Sequence, residues 1–357
     1  MLDIKNKISN LTELNSYIEG LRETPRLRFL FLELTMRCNE NCIHCGSRCG
    51  EIKSEELSLD TYKAFLDKVK FDFGTKDKML CITGGEPLLR NDFFFFMNYV
   101  NSLGFSWGMT SNGTLIDKIC ACKLRETGMC TVSISIDGLP KTHDEFRRSP
   151  GGYERAMRGL NCLIEEGGFK AIQVTTVVTH RSIKELDALY EIFNKLDIDS
   201  WRVIGIEPIG RAKDHPDLLL TPEDQRYLFE FIRNKRISGE PVTYGCSHYL
   251  GLEYEREVRD WYFHCMAGTY TASISASGDI IACLDIERRP EFVQGNILND
   301  DFYDVWSNKF TCFRKNLCES NEKCKTCNEK KFCRGGSYHS WNFADNRQEV
   351  CFKNILF

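Results

Sequence analysis

The sequence lacks the long apolar segments that would place it in a membrane or export it. No window comes near the roughly eighteen uninterrupted apolar residues of a membrane span, and even the stretch NDFFFFMNYV (91–100) is flanked by polar residues. The amino-terminal segment MLDIKNKISNLTELNSYIEG carries charges throughout, so it has no apolar signal-peptide core. We therefore expect a soluble, cytoplasmic protein without membrane contact.

An excess of positive charge is also missing. The formal net charge is −4 at pH 7, and the basic residues are scattered rather than gathered in stripes. Because nucleic-acid binding depends on clustered Lys and Arg side chains, no nucleic-acid partner is expected. Apolar and charged fractions of 42% and 27% are globular values. A length of 357 residues allows one large domain or two ordinary ones.

Cysteine, by contrast, is abundant, with 18 in the chain. Because nothing indicates export and the cytosol keeps thiols reduced, metal binding explains them better than a disulfide framework. Three fall at positions 38, 42 and 45, and five crowd the segment from 318 to 351. Isolated cysteines such as Cys81, Cys130 and Cys162 lie in apolar sequence, which is typical of small buried hydrophobes.

The pattern of apolar residues predicts an α/β fold. A helix is expected at 4–23, and six strands alternate with helical windows after it. The predicted strands are 27–35, 79–83, 105–110, 130–136, 171–178 and 200–206, and the predicted helices are about 59–70, 91–102, 116–126, 152–166 and 183–196. Such succession indicates a parallel sheet, here a partial (β/α)6 barrel of TIM type whose carboxyl strand ends carry the active site.

The alternation stops near residue 240, where cysteine density rises and short strands appear in YTASIS and DIIACLDI. We therefore predict three parts: an amino-terminal helix and lead-in at 1–27, the partial barrel at 28–238, and a small cysteine-rich α+β domain at 239–357.

Cys38, Cys42 and Cys45 place three thiols on one loop after the first predicted strand. A closed zinc site needs four ligands, and His44 or Cys49 could supply the fourth. Three cysteines on a tight loop also suit a cubane [4Fe–4S] cluster with one iron left open. A glycine loop, TGGEP (83–87), follows the second strand, where glycines permit close approach of a ligand and a carboxylate suits an ammonium group.

These two motifs, in this order, resemble the radical S-adenosylmethionine (SAM) superfamily, with His44 in the aromatic place of its three-cysteine motif. The resemblance implies a [4Fe–4S] cluster on Cys38, Cys42 and Cys45 whose open iron binds SAM, and cleavage of SAM to a 5′-deoxyadenosyl radical. Later matches are TSNGT (110–114), SISIDG (133–138) and HDEFRR (143–148). The SAM-binding residues that it implies are His44, Gly84, Gly85, Glu86, Pro87, Ser111, Asn112, Ser135, Asp137 and Arg147. Cys49 lies outside the motif and is interpreted as structural.

The carboxyl-terminal cysteines resemble the SPASM extension found behind many radical SAM domains. The matching segments are CMAGTYTASISASGDIIAC, CKTCNEKKFCRGGS and a final Cys351, with Ser337 where one cysteine is expected. The resemblance implies one auxiliary [4Fe–4S] cluster, on Cys324, Cys327, Cys333 and Cys351. A second would use Cys265, Cys283 and an upstream ligand such as Cys246.

Ser337 leaves that second cluster in doubt, since serine is a poor iron ligand. Either Cys312 or Cys318 replaces the missing thiol, or an iron stays open for substrate. The alternative for the whole segment is a pair of zinc knuckles.

The resemblance implies an enzyme that abstracts hydrogen from a peptide or protein substrate and leaves a crosslink, a thioether or an oxidised residue. It also implies an electron donor such as flavodoxin or ferredoxin, in an anaerobic or micro-aerobic cytoplasm. Peptide maturases often carry a leader-binding segment before the barrel. Only some 27 residues precede the first strand here, so either a separate leader-peptide-binding protein delivers the substrate or the enzyme binds it directly.

Three other functions stay open. Anaerobic sulfatase-maturating enzymes, which form formylglycine, carry an aspartate directly after the cysteine equivalent to Cys283. Here Leu284 follows and Asp285 is one place later, which counts against this function; Asp285 is still the predicted catalytic base. Haem-pathway radical SAM enzymes share the domain order. From another class, a non-catalytic iron–sulfur or zinc protein would need neither TGGEP nor SAM.

Overall fold

A ten-stranded sheet organises most of the part of the chain that the computed structural model describes, residues 3–51, 56–245 and 248–357. Its strands are β1 (Phe29–Glu33), β2 (Met79–Thr83), β3 (Ser106–Ser111), β4 (Met129–Ser135), β5 (Ala171–Val178), β6 (Ser200–Gly205), β7 (Val242–Tyr244), β8 (Thr271–Ile274), β9 (Asp279–Ile281) and β10 (Gly295–Asn296). Strands β1 to β7 are parallel neighbours in chain order. A separate hairpin pairs β11 (Trp341–Asn342) with β12 (Arg347–Gln348).

Helices precede, connect and follow the parallel strands. They are α1 (Ile4–Glu23), α2 (Leu59–Phe73), α3 (Phe93–Leu103), α4 (Lys118–Glu126), α5 (Pro140–Arg147), α6 (Gly152–Glu166), α7 (Leu186–Phe193), α8 (Pro222–Ile237), α9 (Gly251–Tyr254), α10 (Phe302–Asn308), α11 (Glu322–Lys325) and α12 (Lys330–Cys333). Local residues determine where the helices begin and end, as α2 illustrates. Ser58 caps α2 by accepting a hydrogen bond from the Thr61 amide, and Gly74 ends it at a φ of 67°.

The main core lies between the sheet and these helices. Trp107 on β3 and Trp201 on β6 are fully buried, and each indole finds a hydrogen-bond acceptor, the Thr127 carbonyl and the Thr176 hydroxyl respectively. Burying an apolar side chain contributes about 1.5–3 kcal/mol, so the core holds the strands in fixed register. The carboxyl ends of the strands therefore present their loops at one edge.

The predicted α/β class and parallel sheet agree with the structure. The six predicted strands and the helices between them are present, and 79–83 and 171–178 have the bounds predicted for them. Helices α5 and α8 and strand β7 were not predicted. Among the described residues, no helix combines the length and the apolar character that a membrane crossing requires.

The cysteine-rich segment is joined to the barrel by the sheet itself. Strand β8 pairs in parallel with the free side of β1, and β9 and β10 follow it as antiparallel neighbours. Beyond the predicted boundary at residue 238, β7 pairs with β6. The division into three parts stays a prediction. One continuous sheet contains strands of both the predicted barrel and the predicted cysteine-rich domain.

Candidate active site

A cavity of about 240 Å³, here called the inner cavity, opens at the carboxyl ends of the first four strands. It collects residues that the sequence predicted from separate segments. The predicted residues that line it are Cys38, Cys42, His44, Cys45, Gly84, Gly85, Ser111, Asn112, Ser135, Arg147 and Asp285. Glu86, Pro87 and Asp137 lie behind this lining.

The three thiols of the first loop share this cavity but differ in acidity. Burial raises the pKa of Cys38 to about 11 and that of Cys42 to about 12. A hydrogen bond from the Cys49 thiol lowers the pKa of Cys45 to about 6, and the Cys49 amide donates to the same sulfur at 3.3 Å. Buried thiols need a cation at their sulfurs to ionise, so the donor set fits an iron–sulfur cluster.

The glycine loop packs directly against the cysteine loop. Gly84 has a φ of 135°, and a methyl group built on Gly85 would lie 2.0 Å from the Arg37 carbonyl oxygen. The Gly85 amide donates to the Thr35 carbonyl at 2.8 Å, and the Glu86 amide donates to that of Arg37 at 2.9 Å. Glycine is therefore required, because a side chain at either position would push the two loops apart.

Glu86 has a different setting from the one expected. Its carboxylate is fully buried and accepts hydrogen bonds from the Ser111 hydroxyl at 3.0 Å and the Asn112 amide at 2.9 Å. Burial raises its pKa to about 7. The side chain thus holds the end of β3 and the loop after it, where Ser111 and Asn112 reach the cavity. Direct contact of Glu86 with SAM stays a prediction. Pro87 is buried and starts a short 3-10 helix (Pro87–Leu89), also behind the lining.

Arg147 lies between two buried carboxylates. Its guanidinium donates to an Asp137 oxygen and to a Glu40 oxygen, each at 2.8 Å. Burial acts against the charge of Asp137, but the Arg147 charge overrides it and lowers the Asp137 pKa. His44 lies 3.7 Å from Asp137 and stacks on Phe146. Asp137 therefore orients Arg147 from behind the lining.

Glu40 is a site residue that the sequence reasoning missed. Its side chain is buried, lines the inner cavity, and leaves Oε1 without a hydrogen-bond partner among the described residues. Because a buried carboxylate oxygen without a donor is costly, this atom is suited to a ligand that brings one. It lies within the cysteine motif, but no spacing rule distinguishes it from a loop residue.

A second cavity, of about 590 Å³ and here called the outer cavity, lies between the barrel loops and the cysteine-rich segment. Gly46, Ser47 and Asp285 line both cavities, so the two adjoin. The outer cavity is lined by charged groups of both signs: Arg48, Glu207, Lys213, Glu287, Arg288, Arg289 and Glu349. Arg288 also pairs with the buried Glu33 and donates to the Ser47 hydroxyl at 3.0 Å, which ties the two parts of the chain together.

Four of the carboxyl-terminal cysteines lie together. Burial raises the pKa of Cys324, and the neighbouring thiols of Cys351 and Cys327 raise it further. Burial likewise raises the pKa of Cys333 to about 12, with the other three thiols adding to the effect. Lys353 donates to the Cys327 sulfur at 3.5 Å. Mutual proximity of four thiols fits the four-ligand set that the sequence predicted.

The second auxiliary set is partly described. Cys265 and Cys283 are partly buried neighbours, and the Ser337 hydroxyl is hydrogen-bonded to the Cys265 thiol. Cys246, the predicted upstream ligand, lies outside the described residues. The two suggested replacements lie elsewhere: Cys318 neighbours Cys324, and Cys312 donates to Gln294.

Comparison with known proteins settles the family. The sequence profile described as the radical SAM superfamily matches residues 32–193, and that of the iron–sulfur cluster-binding SPASM domain matches residues 265–328. The chain belongs to the radical SAM superfamily. Among curated relatives, the AdoMet-dependent heme synthase of Methanosarcina barkeri is 31% identical, over 88% of this chain and 92% of that protein. The mycofactocin maturase MftC of Mycolicibacterium smegmatis is 30% identical, over 85% and 76%.

Solved radical SAM structures share the fold. Streptococcus suis SuiB bound to S-adenosylmethionine superposes with a TM-score of 0.74 at 19% identity, over 96% of this chain and 80% of SuiB. The enzyme anSMEcpe, solved with AdoMet and a peptide, gives 0.68 at 18% identity, over 91% and 92%. The predicted fold class, superfamily and cofactors are thereby confirmed: this radical SAM enzyme uses a [4Fe–4S] cluster, SAM and auxiliary iron–sulfur ligation.

Proposed function

We propose that this radical SAM enzyme abstracts hydrogen from a peptide or protein substrate held in the outer cavity, and so modifies it after translation. Cys38, Cys42 and Cys45 would hold the [4Fe–4S] cluster, which together with bound SAM would supply a 5′-deoxyadenosyl radical. The outer cavity then supplies the place for the substrate, and Asp285 takes the proton that an oxidised substrate releases.

The position of Asp285, which lines both the inner and the outer cavity, is the observation that supports this proposal most directly. The Asp285 carboxylate lines the inner cavity, where SAM would lie, and the outer cavity, where a substrate has room. It also comes within 3.8 Å of a methyl group built on Gly46, beside the cysteine loop. A base at the wall between radical source and substrate is within reach of the carbon that loses hydrogen.

A candidate ligand for an electron-accepting cluster lies next to Asp285. The Cys283 sulfur is 4.0 Å from an Asp285 oxygen, and Cys283 belongs to the predicted second auxiliary set. Oxidation of a substrate carbon radical releases one proton and one electron. The base and the auxiliary ligand are therefore adjacent at the place where both would be needed.

A peptide suits the lining of the outer cavity. Cationic and anionic side chains both line it, and Lys213 pairs with Glu287 at 3.3 Å. A peptide can bind such a surface through hydrogen bonds of its backbone amides and through ion pairs of side chains of either charge. The relative MftC is named a maturase, and SuiB, which shares the fold, was solved with its precursor peptide SuiA. Both agree with a peptide substrate.

A second candidate is a porphyrin that carries carboxylates, in a haem pathway. Four cationic side chains and His339 line the outer cavity, and anionic substrate groups would find partners among them: Arg48, Lys213, Arg288 and Arg289. The heme synthase of M. barkeri is similar over nearly its whole length. Four carboxylates in the same lining count against a tetra-anionic substrate: Glu207, Asp285, Glu287 and Glu349.

One experiment separates the two. The anaerobically reconstituted enzyme is given SAM and a one-electron reductant with either a panel of short synthetic peptides or iron coproporphyrin III. We expect 5′-deoxyadenosine together with a peptide that has lost two hydrogens. Product from the porphyrin alone would replace this proposal by the second candidate. Absence of SAM cleavage with every substrate would overturn both.

The role of Asp285 is tested in the same assay. Asp285→Asn keeps the size of the side chain and removes the base, so we expect 5′-deoxyadenosine to form while modified product falls by about 10²-fold or more. Glu291→Gln, an exposed carboxylate paired with Arg289, serves as control. Equal loss of both products in the Asp285 variant would mean that this residue supports SAM binding instead.

A further inference from the structure

A cluster of two histidines and one glutamate lies outside the SAM site, with His248 buried and the other two side chains partly buried. Glu207 follows β6, His248 precedes α9, and His339 lies in a short 3-10 helix (Tyr338–Ser340). The one ligand atom that each offers lies within 4.8 Å of the other two. The three residues come from segments separated by 41 and more positions, so the fold brings them together.

The spacing of these atoms suits a common ion. One Glu207 oxygen lies 2.8 Å from His248 Nε2, and its other oxygen lies 3.3 Å from His339 Nε2. Ligands bound about 2.1 Å from one metal ion lie about 3.0–3.4 Å apart at octahedral to tetrahedral angles. The three ligand atoms, which lie within 4.8 Å of one another, would have to close to these separations to share one ion.

The surroundings hold the three side chains in place. His248 is 1% exposed, its ring lies 5.6 Å from that of His339, and Phe352 packs against it at 5.5 Å. An adjoining cavity of about 260 Å³ has a mostly apolar lining that includes Leu228, Phe229 and Phe352. An apolar shell around a set of nitrogen and oxygen donors is typical of metal centres in proteins.

The open side of the cluster faces the outer cavity. Glu207 and His339 both line that cavity, and Asp285 lies in the same lining. Two histidines and one carboxylate are the donor set of catalytic zinc and of non-haem iron sites, which keep further positions open for substrate or water.

We propose that Glu207, His248 and His339 bind one divalent metal ion of the Fe²⁺, Zn²⁺ or Mn²⁺ class, with its open coordination positions toward the outer cavity. With two neutral imidazole ligands and one carboxylate ligand, the site of a divalent ion keeps a net positive charge. Such an ion would hold a carboxylate or carbonyl oxygen of the substrate, a role that rests on the proposed function. Metal binding itself does not.

The test uses the cluster-loaded enzyme and Mn²⁺ as probe. Carboxylate and imidazole ligands suit Mn²⁺ better than thiolates do, so unfilled cysteine sites do not compete for it. Oxidised [4Fe–4S] clusters are diamagnetic, which leaves the electron paramagnetic resonance (EPR) signal of Mn²⁺ readable. We expect one Mn²⁺ to bind per chain, to show hyperfine coupling to histidine nitrogen, and to be displaced by Zn²⁺.

Variants identify the ligands. Loss of an outer partner of a metal ligand costs roughly 10–100-fold in affinity, so His339→Gln and Glu207→Gln should cost at least that. His180→Gln removes a histidine paired with Asp224 at 2.6 Å, on the surface, and should bind Mn²⁺ like the wild type. Variants count only if they keep the iron content and the SAM-induced EPR change of the wild type.

The hyperfine coupling of Mn²⁺ to histidine nitrogen is measured on the wild-type enzyme. It therefore tests the metal site even if a variant fails to fold. Wild-type enzyme that binds no Mn²⁺ or Zn²⁺, or that binds Mn²⁺ without nitrogen coupling, would overturn the metal site and leave the cluster as a hydrogen-bonded set. Failure of the proposed function would instead leave metal binding intact and remove only peptide modification.

Discussion

Arg211 holds the loop of the three cysteines through its backbone. The Arg211 guanidinium donates to the carbonyl oxygen of Cys42 at 2.7 Å and to that of Cys49 at 3.0 Å, and the Arg211 amide donates to the Cys45 carbonyl at 3.1 Å. Its neighbour Gly210 packs so closely that an added methyl group would lie 2.3 Å from the Cys45 carbonyl oxygen. The loop after β6 thus fixes the loop after β1.

Arg211→Met should therefore weaken the cluster site without touching a thiol. The two hydrogen bonds of the guanidinium would be lost and only that of the Arg211 amide would remain. The loop would also lose a positive charge that lowers the Cys45 pKa. We expect loss of up to about four irons per chain and of the SAM-induced EPR change. Arg236→Met is the matched control, since Arg236 also donates to backbone carbonyls, those of Glu257 and Val242. Unchanged iron in Arg211→Met would refute this role.

Arg147 separates two buried carboxylates, and its removal should destabilise the fold. In Arg147→Met, Glu40 and Asp137 would remain buried without the shared counter-charge. Breaking a buried ion pair on one side costs about 3–5 kcal/mol, whereas an exposed pair contributes about 0–1 kcal/mol. Urea unfolding should show the larger loss for Arg147→Met and the smaller for Arg181→Met, which breaks the exposed pair with Asp217. Equal losses would contradict the arrangement.

The auxiliary thiols can be told apart by iron content. Cys351 is exposed but lies with Cys324 and Cys333, whereas Cys312 is equally exposed and hydrogen-bonds Gln294. Cys351→Ala should lose about four irons per chain, because one of four ligands to an auxiliary cluster is gone. Cys312→Ala should lose none. Iron and sulfide analysis after reconstitution measures both, and loss of iron in the Cys312 variant would show that this thiol is a ligand.

The strands of the barrel could be predicted because each is a short apolar run between turn residues. Helix α5 could not, since it begins at Pro140 and half of its residues are charged, with only His143, Phe146 and Arg147 buried. The strand at 271–274 was expected, but its pairing with β1 depends on a contact more than two hundred residues away. Sequence patterns record which face a residue buries, not which distant strand it meets.

The residues of the candidate site also fall into those that the sequence predicted and those that it did not. Cys38, Cys42 and Cys45 and the two glycines were predictable because ligand spacing and close backbone packing leave a local pattern. Glu40, Arg211 and the cluster of Glu207, His248 and His339 leave none, since each depends on partners from distant segments. A buried polar side chain becomes recognisable as functional only when its partners are known.

His143 gives the site a pH dependence whose sign can be worked out. Its ring is fully buried, its Nδ1 accepts a hydrogen bond from the Asp137 amide at 3.1 Å, and burial lowers its pKa from 6.5 to about 4. Between those values the unfolded chain binds a proton that the folded chain does not. The neutral ring therefore contributes its full stability above pH 6.5, and this contribution is lost as the pH falls toward 4.

His143→Gln removes this proton linkage. Linkage is worth about 1.4 kcal/mol per pH unit, so the wild type should lose about 1 kcal/mol more than the variant between roughly pH 7.5 and 5.5. The measurement is the free energy of unfolding in urea at both pH values, on cluster-loaded protein under anaerobic conditions. The substitution should thus be most destabilising at the higher pH, where the neutral ring is fully effective. Parallel pH dependence in the two proteins would mean that His143 titrates in the folded state as it does in the unfolded chain.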